Sequence, residues 1–288
     1  MSEEIKIDNE KPVPALGPYE DIYIYLLSGM VREKEEMNLG DAFIGNWVED
    51  KSSFLFFSRP SQEIVIRLLD ECADLELVDD YRFSYEEWQG GGLDPVQVDL
   101  FSIIPPWLEA ESNGGVAPII LDPGVVFGNG LHPTTGDCLR ALSFAQRQKP
   151  IIEVLDLGTG TGILALAAAR LGAKHVLAVD LNPLCVKTAM ANVKQNQLTG
   201  VIDVVEGPAD KFITGSADLV VANIHFDVVE GLLNAGALAV PERVILSGLM
   251  RSQFRKIKVL LEKQGFYVVR EWDHEMTWYT TLACRLTA

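Results

Sequence analysis

Between positions 19 and 85 the apolar residues fall mostly at every second position, the period of half-buried strands. Residues 22–27 alternate in this way, as do 42–48 and 53–57, which read as a hairpin around Glu49, Asp50 and Lys51. Residues 75–83 make a further strand. The period changes to that of a helix only over 61–73, which has apolar residues at Ile64, Ile66, Leu68 and Leu69 and in which Ser61 follows Pro60 as an N-cap. Residues 30–37 support at most two helical turns. The order strand, short helix, two strands, helix, strand predicts a small α+β domain of the ferredoxin-like plan.

Three consecutive glycines inside 89–94 mark a loop, and 96–104 reads as one strand closed by Pro105, Pro106 and Trp107. Residues 109–115 are polar and expected to be exposed. After Pro118 the pattern alternates strand and helix to the end. The predicted strands are 151–155, 175–179, 202–205, 218–222, 243–247, 267–272 and 279–285. The helices between them cover 136–146, the segment from Ile163, 183–197, 226–235 and 251–264. Seven strands with helices on both faces predict an α/β, doubly wound sheet with an antiparallel edge. The expected organisation is a flexible terminus over 1–18, a small α+β domain over 19–85, a linker over 86–117, and the doubly wound domain over 118–288.

The densest chemistry lies in VLDLGTGTG at 154–162. An apolar strand ends at Asp156, three glycines turn the chain into an Ala- and Leu-rich helix, and the next strand ends at Asp180. Ligands of open α/β sheets bind at such carboxyl ends. A dinucleotide fingerprint needs a glycine at 163, which is Ile163. No lysine or arginine lies between Val154 and Ala169, so the loop is not of the phosphate-binding type. Gly158 and Gly160 let a ligand approach bare backbone. Asp180 can accept both hydroxyls of a ribose, and Asp156 suits a positively charged group. S-adenosylmethionine, with a ribose, a cationic amino-acid end and no phosphate, fits best. A nicotinamide dinucleotide, or a glycine turn that binds nothing, remains open on these residues alone.

A second loop, DPGVVFGNGLHPTT at 122–135, is rich in glycine and leads into a helix from Pro133. Thr134 or Thr135 could cap it, and its first amides could hold a carboxylate. Phe127 could cover an adenine or the methyl donor. Asn223, at the end of the fourth core strand, can accept a hydrogen bond from an amine and so aim the nitrogen lone pair at a methyl group. His132 and His225 are the histidines in candidate loops, and either could act as a general base. His175 and His274 read as structural.

Composition narrows this picture. The chain has 288 residues, 48% of them hydrophobic, enough for a full core, and a net charge of −17. That charge argues against broad nucleic-acid binding and permits attraction to a basic protein. No long uncharged apolar window suggests a membrane span, the first 14 residues lack the core of a secretory signal, and four separated cysteines form no pair. A soluble, cytoplasmic protein without a metal site is expected.

Together these residues resemble the ribosomal protein L-eleven methyltransferase family, the PrmA type. The stretch 122–135 is similar to that family's signature. Glu86 to Trp88, Pro95-Val96, Ile104 to Trp107, 156–162, Asp180, Asn223 and Leu246 to Gly248 extend the resemblance, strongest from about Tyr85 onward. It implies a class I methyltransferase domain joined to a small ferredoxin-like substrate-recognition domain, with S-adenosylmethionine as cofactor. Thr135, Gly158, Asp180 and Asn223 would contact that cofactor, and the activity would be methylation of lysines and an N-terminal amine of a ribosomal protein. Leu131 and Asn129 stand where the family commonly has threonine, and Ile224, His225 and Phe226 depart from its usual run after the asparagine. A small-molecule or RNA methyltransferase, or a non-catalytic cofactor-binding module, are the competing functions.

Overall fold

The alternation in the first region folds as it reads. In the computed structural model, which describes residues 17–92, 94–109, 117–213 and 217–286, β1 (Asp21–Ser28), α1 (Glu33–Glu36), β2 (Phe43–Glu49), β3 (Ser52–Phe57), α2 (Gln62–Glu71) and β4 (Glu76–Ser84) follow in that order. Of the flexible terminus expected over 1–18, residues 1–16 lie outside the described residues. All neighbours in this sheet are antiparallel, in the order β2-β3-β1-β4, which is the ferredoxin-like arrangement. Asp50 and Lys51 turn the β2–β3 hairpin with positive φ angles of 47° and 64°, as a two-residue turn matched to strand twist requires. Leu27, Leu55 and Phe57 pack with Val65 and Leu68 of α2 on one face of the sheet. Ser61 precedes α2 as expected, but its hydroxyl donates to the Arg59 carbonyl and does not cap the helix.

Two expectations for the linker are corrected. A short helix, α3 (Tyr85–Gln89), follows β4 directly, because Ser84 and Glu87 form a capping box. Residues 96–104 are two strands, β5 (Val96–Val98) and β6 (Phe101–Ile104), joined by a tight turn in which Asp99 has φ 51°. The turn breaks the apolar run where Asp99 interrupts it. A two-residue strand, β7 (Ile119–Ile120), runs parallel to β6. Most of 109–115 lies outside the described residues.

The second region contains α4 (Pro133–Gln148), β8 (Glu153–Leu157), α5 (Ile163–Arg170), β9 (His175–Asp180), α6 (Pro183–Gln195), β10 (Ile202–Glu206), β11 (Leu219–Asn223), α7 (Phe226–Asn234), β12 (Arg243–Met250), α8 (Arg251–Lys263), β13 (Phe266–His274) and β14 (Trp278–Arg285). The seven strands lie in the order β10-β9-β8-β11-β12-β14-β13. The first five are parallel and β14 is antiparallel to both its neighbours. Both faces are buried, one under α4 and α5, the other under α7 and α8. The direction of winding reverses between β8 and β11, so a crevice opens at their carboxyl ends.

The two regions pack together. Ile22, Ile24 and Phe56 present the other face of the first sheet to Val125, Val126, Leu184 and Cys185. Gly45 on β2 makes room for Leu184 of α6, since a Cβ at that position would fall on the leucine's Cδ1.

Candidate functional site

Four strand ends bring the candidate residues together. Asp156 is the fourth residue of β8, paired across the sheet with Val221 of β11 and Ala178 of β9. Asp180 closes β9, Asn223 closes β11, and Ser247 lies on β12 opposite Asn223. The first turn of α4 enters the same place.

Asp156 is fully buried. Its Oδ2 accepts a hydrogen bond from the Thr159 hydroxyl at 2.6 Å, while Oδ1 is buried without a partner. Burial pushes its carboxyl up to about 7; the Thr159 hydroxyl and the Ala165 backbone N–H oppose the shift, and nearby Asp180 adds to it. Asp180 is half-buried and likewise raised, chiefly by burial. Its two oxygens accept from the amides of Gly160 at 2.9 Å and Asn182 at 3.0 Å, which leaves lone pairs on each oxygen for further donors.

The glycines meet the protein itself. A Cβ on Gly158 would fall on Cγ2 of Ile224, and one on Gly160 on the carbonyl oxygen of Phe127. All three loop glycines, 158, 160 and 162, have positive φ. The expectation that Gly158 and Gly160 exist to bare backbone to a ligand therefore needs a second cause. They admit Ile224 and the 122–135 loop, which folds directly over them. Thr161 fastens that loop, its amide donating to Phe127 at 3.2 Å and its hydroxyl to Gly128 at 2.7 Å.

Within the 122–135 loop His132, rather than either threonine, caps α4. Its Nδ1 accepts from the Thr134 amide at 3.3 Å and lies 2.7 Å from Thr134 Oγ1. The same hydroxyl accepts from Asn223 Nδ2 at 3.3 Å. A chain of donors thus runs from Asn223 through Thr134 to His132. It fixes the His132 proton on Nε2 and leaves Asn223 Oδ1 outside any hydrogen bond among the described residues. Gly248, with φ 75°, keeps that oxygen uncovered, because a Cβ there would lie 3.2 Å from it. Burial, and then His274, hold the His132 ring below the ordinary histidine range. Thr135 is buried with no partner for its Oγ1. His225 is exposed and precedes α7.

Phe127 is half-exposed and meets His132 edge-on at 5.3 Å, and Trp278 of β14 also meets the His132 ring edge-on, at 5.5 Å. Phe127, Gly128 and His132 also line a separate cleft of about 610 Å³ against the first sheet, which does not reach Asp156, Gly158, Asp180 or Asn223. The candidate residues thus fall into a cofactor-type crevice and a neighbouring cleft, with the Thr134 hydroxyl between them.

Several residues of this site escape pattern reading. Thr161, Ile224 and Trp278 matter through contacts made across long stretches of chain, and Thr134, expected only as a cap, is instead the link between Asn223 and His132. Asn192 of α6 is fully buried. Its amide nitrogen donates to the Asp122 and Thr161 carbonyls and its oxygen accepts from the Asp122 amide, so it braces both loops. A polar residue on the inner face of an otherwise amphipathic helix was the available signal.

Two buried, unpartnered oxygens, on Asp156 and Thr135, together with the open acceptors of Asp180 and Asn223, suit a ligand that brings donors and positive charge. S-adenosylmethionine has both. Among the described residues no group of three or more His, Cys, Asp or Glu could hold a metal ion, and no helix is long and apolar enough to cross a membrane.

Known proteins point the same way. The family model described as ribosomal protein L11 methyltransferase (PrmA) matches residues 61–285. A ribosomal protein L11 methyltransferase of Pelotomaculum thermopropionicum is 42% identical over 211 residues, 71% of this chain and 67% of that protein. Another, of Bacillus cytotoxicus, is 40% identical over 178 residues, 60% of this chain and 56% of that protein, so the matched stretch spans little more than half of that relative. The crystal structure of a ribosomal protein L11 methylase from Lactobacillus delbrueckii subsp. bulgaricus aligns with a TM-score of 0.60 and 28% identity, over 66% of this chain and 98% of that one.

Proposed function

We propose, since the chain belongs to the ribosomal protein L11 methyltransferase (PrmA) family, that it transfers methyl groups from S-adenosylmethionine to amino groups of a protein, lysine side chains and an N-terminal amine being the acceptors and a ribosomal protein the substrate. The observation that carries this reading is the setting of Asn223. Its amide nitrogen is tied to Thr134, and its carbonyl oxygen is left to accept from an incoming amine.

In this reading Asp180 holds the ribose through its remaining lone pairs. Asp156 Oδ1 and Thr135 Oγ1 meet the amino-acid end of the cofactor, and Gly158 and Gly160 form the floor. When bound, S-adenosylmethionine supplies an electrophilic methyl group on a sulfonium. The chain's own work is to orient the acceptor and to strip water from it. A lysine ammonium, with a reference pKa of about 10.4, has no lone pair until it loses a proton. Apolar walls at Phe127 and Ile224 favour the neutral amine, and Asn223 then fixes its remaining N–H. His132, with Nδ1 engaged and its proton on Nε2, holds the loop and the Thr134 hydroxyl in place and is assigned to positioning, not to proton removal.

The test separates binding from turnover. Asp180→Ala should weaken cofactor affinity by roughly 100-fold or more, since it removes charge-assisted hydrogen bonds. Asn223→Ala should leave affinity within a few-fold while lowering kcat by about 100-fold, the scale of a lost positioning contact. Calorimetry with the cofactor, and transfer of labelled methyl to a ribosomal protein fraction, read the two effects. Intact cofactor binding in Asp180→Ala would contradict the crevice assignment.

A further inference from the structure

The cleft beside the crevice has a chemistry of its own. Strand register puts Gly45, Trp47 and Glu49 at alternate positions of β2, so they share a face, and Trp47 lies directly opposite Phe54 of β3, with Phe56 two residues on. At Gly45 this face is filled by Leu184; beyond it the sheet diverges from the second region and the cleft of about 610 Å³ opens. Trp88 of α3 meets Phe56 edge-on at 5.2 Å, and Phe127 closes the opposite wall. Among the described residues, those around it include five aromatic rings besides His132, no lysine and no arginine, and a single carboxylate, Glu49. The Trp47 indole N–H, 3.3 Å from Glu49 Oε2, holds that carboxylate at the wall.

Aromatic faces and one anchored carboxylate, without a competing cation, make an environment for an alkylammonium group. An apolar occupant would use the rings and leave Glu49 without a role, and an anionic one would be repelled by it. We propose that this cleft is a subsite for the cationic side chain of the acceptor lysine, which it holds as an ammonium before and between transfers, when the nitrogen carries charge and successive methyl groups. The identity of the occupant rests on the amino-methyl transfer reading above; the cation preference rests on the cleft alone. Continuity supports the link. Phe127 and His132 line the cleft, and His132 is separated from Asn223 by only the Thr134 hydroxyl. The net charge of −17 further favours a basic partner.

The experiment needs no cofactor. The full chain is titrated with N-acetyl-trimethyllysine amide and with its neutral analogue, in which carbon replaces the quaternary nitrogen, using tryptophan fluorescence and calorimetry. The charged probe should bind about 10-fold tighter than the neutral one, the scale of a partly desolvated cation–π contact. Trp47→Leu should erase that preference, Trp47→Phe should keep most of it, and Glu49→Gln should weaken binding and flatten its salt dependence. Equal binding of the two probes, no binding of either, or an unchanged preference in Trp47→Leu and Glu49→Gln variants of unaltered thermal midpoint would overturn the subsite. In the transfer assay the same variants should raise KM for a lysine peptide and leave kcat nearly unchanged. Selective cation binding in a protein that methylates no amine would uphold the cation subsite and sink the functional reading; methylation with an unaltered KM in both variants would do the reverse.

Discussion

Burial pushes the Asp156 carboxyl up to about 7, so it keeps its proton well above the range in which an exposed carboxylate releases it. The folded state therefore keeps this proton over a range where the unfolded chain, with an ordinary carboxylate, has released it. Its contribution to stability is present at low pH, falls as pH rises from about 4 towards 7, and is constant above that. Cofactor binding should slope the other way, since a cationic group needs the ionised form. Affinity should rise about 10-fold from pH 6 to a plateau near pH 8, and Asp156→Asn should flatten both slopes. Calorimetry and thermal melting at several pH values measure them, and a wild-type affinity that does not vary over this range removes Asp156 from the cationic end of the ligand. At this scale the sequence was readable wherever a residue sits at the end of a strand, as Asp156, Asp180 and Asn223 do. It was unreadable where a role comes from a distant partner. Thr134 acquires its role from Asn223, 89 residues away, and Gly160 owes its lack of a side chain to the Phe127 carbonyl as much as to any ligand.

Among the elements, α6 does more than cover the sheet. Asn192 and Asn196, one turn apart, hydrogen-bond the backbone of Ile120 and Asp122 as an adjoining strand would, and Asn192 also reaches Thr161. Replacing Asn192 with Leu would take a hydrogen-bond partner from three backbone groups, two of them part-buried at Asp122 and one buried at Thr161, which should cost about 2–4 kcal/mol. Denaturant unfolding reads that loss, and cofactor affinity should fall with it because both loops lose their brace. Unchanged stability would mean that the loops are held by Thr161 alone. The helices and parallel strands of this region were visible as alternating patterns within a few residues of their ends. The α3 helix carried a readable signal that pattern reading passed over, the S-x-x-E box of Ser84 and Glu87. The β5–β6 turn was hidden because apolar residues on both sides of Asp99 suggest one continuous strand.

For the molecule as a whole, the seven strands with their antiparallel edge and the ferredoxin-like plan both followed from periodicity, whereas the order of strands within the larger sheet and the way the two parts meet did not. That interface depends on Ile22, Ile24 and Phe56 facing outward from their own domain, and alternation alone cannot say whether such a face meets solvent or a neighbour. Gly45→Val should clash with Leu184 and separate the sheet from α6, raising KM for a protein acceptor while leaving cofactor affinity within a few-fold. Leu184→Ala alone should cost about 2–3 kcal/mol, at the lower end for a buried leucine because this one is not completely enclosed. Combined with Gly45→Val it should recover part of the lost KM, as a double-mutant cycle would register through a coupling energy well above zero. Additive effects would show that the two positions do not share the contact.

The Gly45–Leu184 contact also bears on how such a chain can diverge. Neither position can drift freely, since enlarging the one demands trimming the other. A descendant that acquires bulk on β2 and keeps its leucine must reset the gap between its two halves, and with it the girth of whatever protein segment can enter.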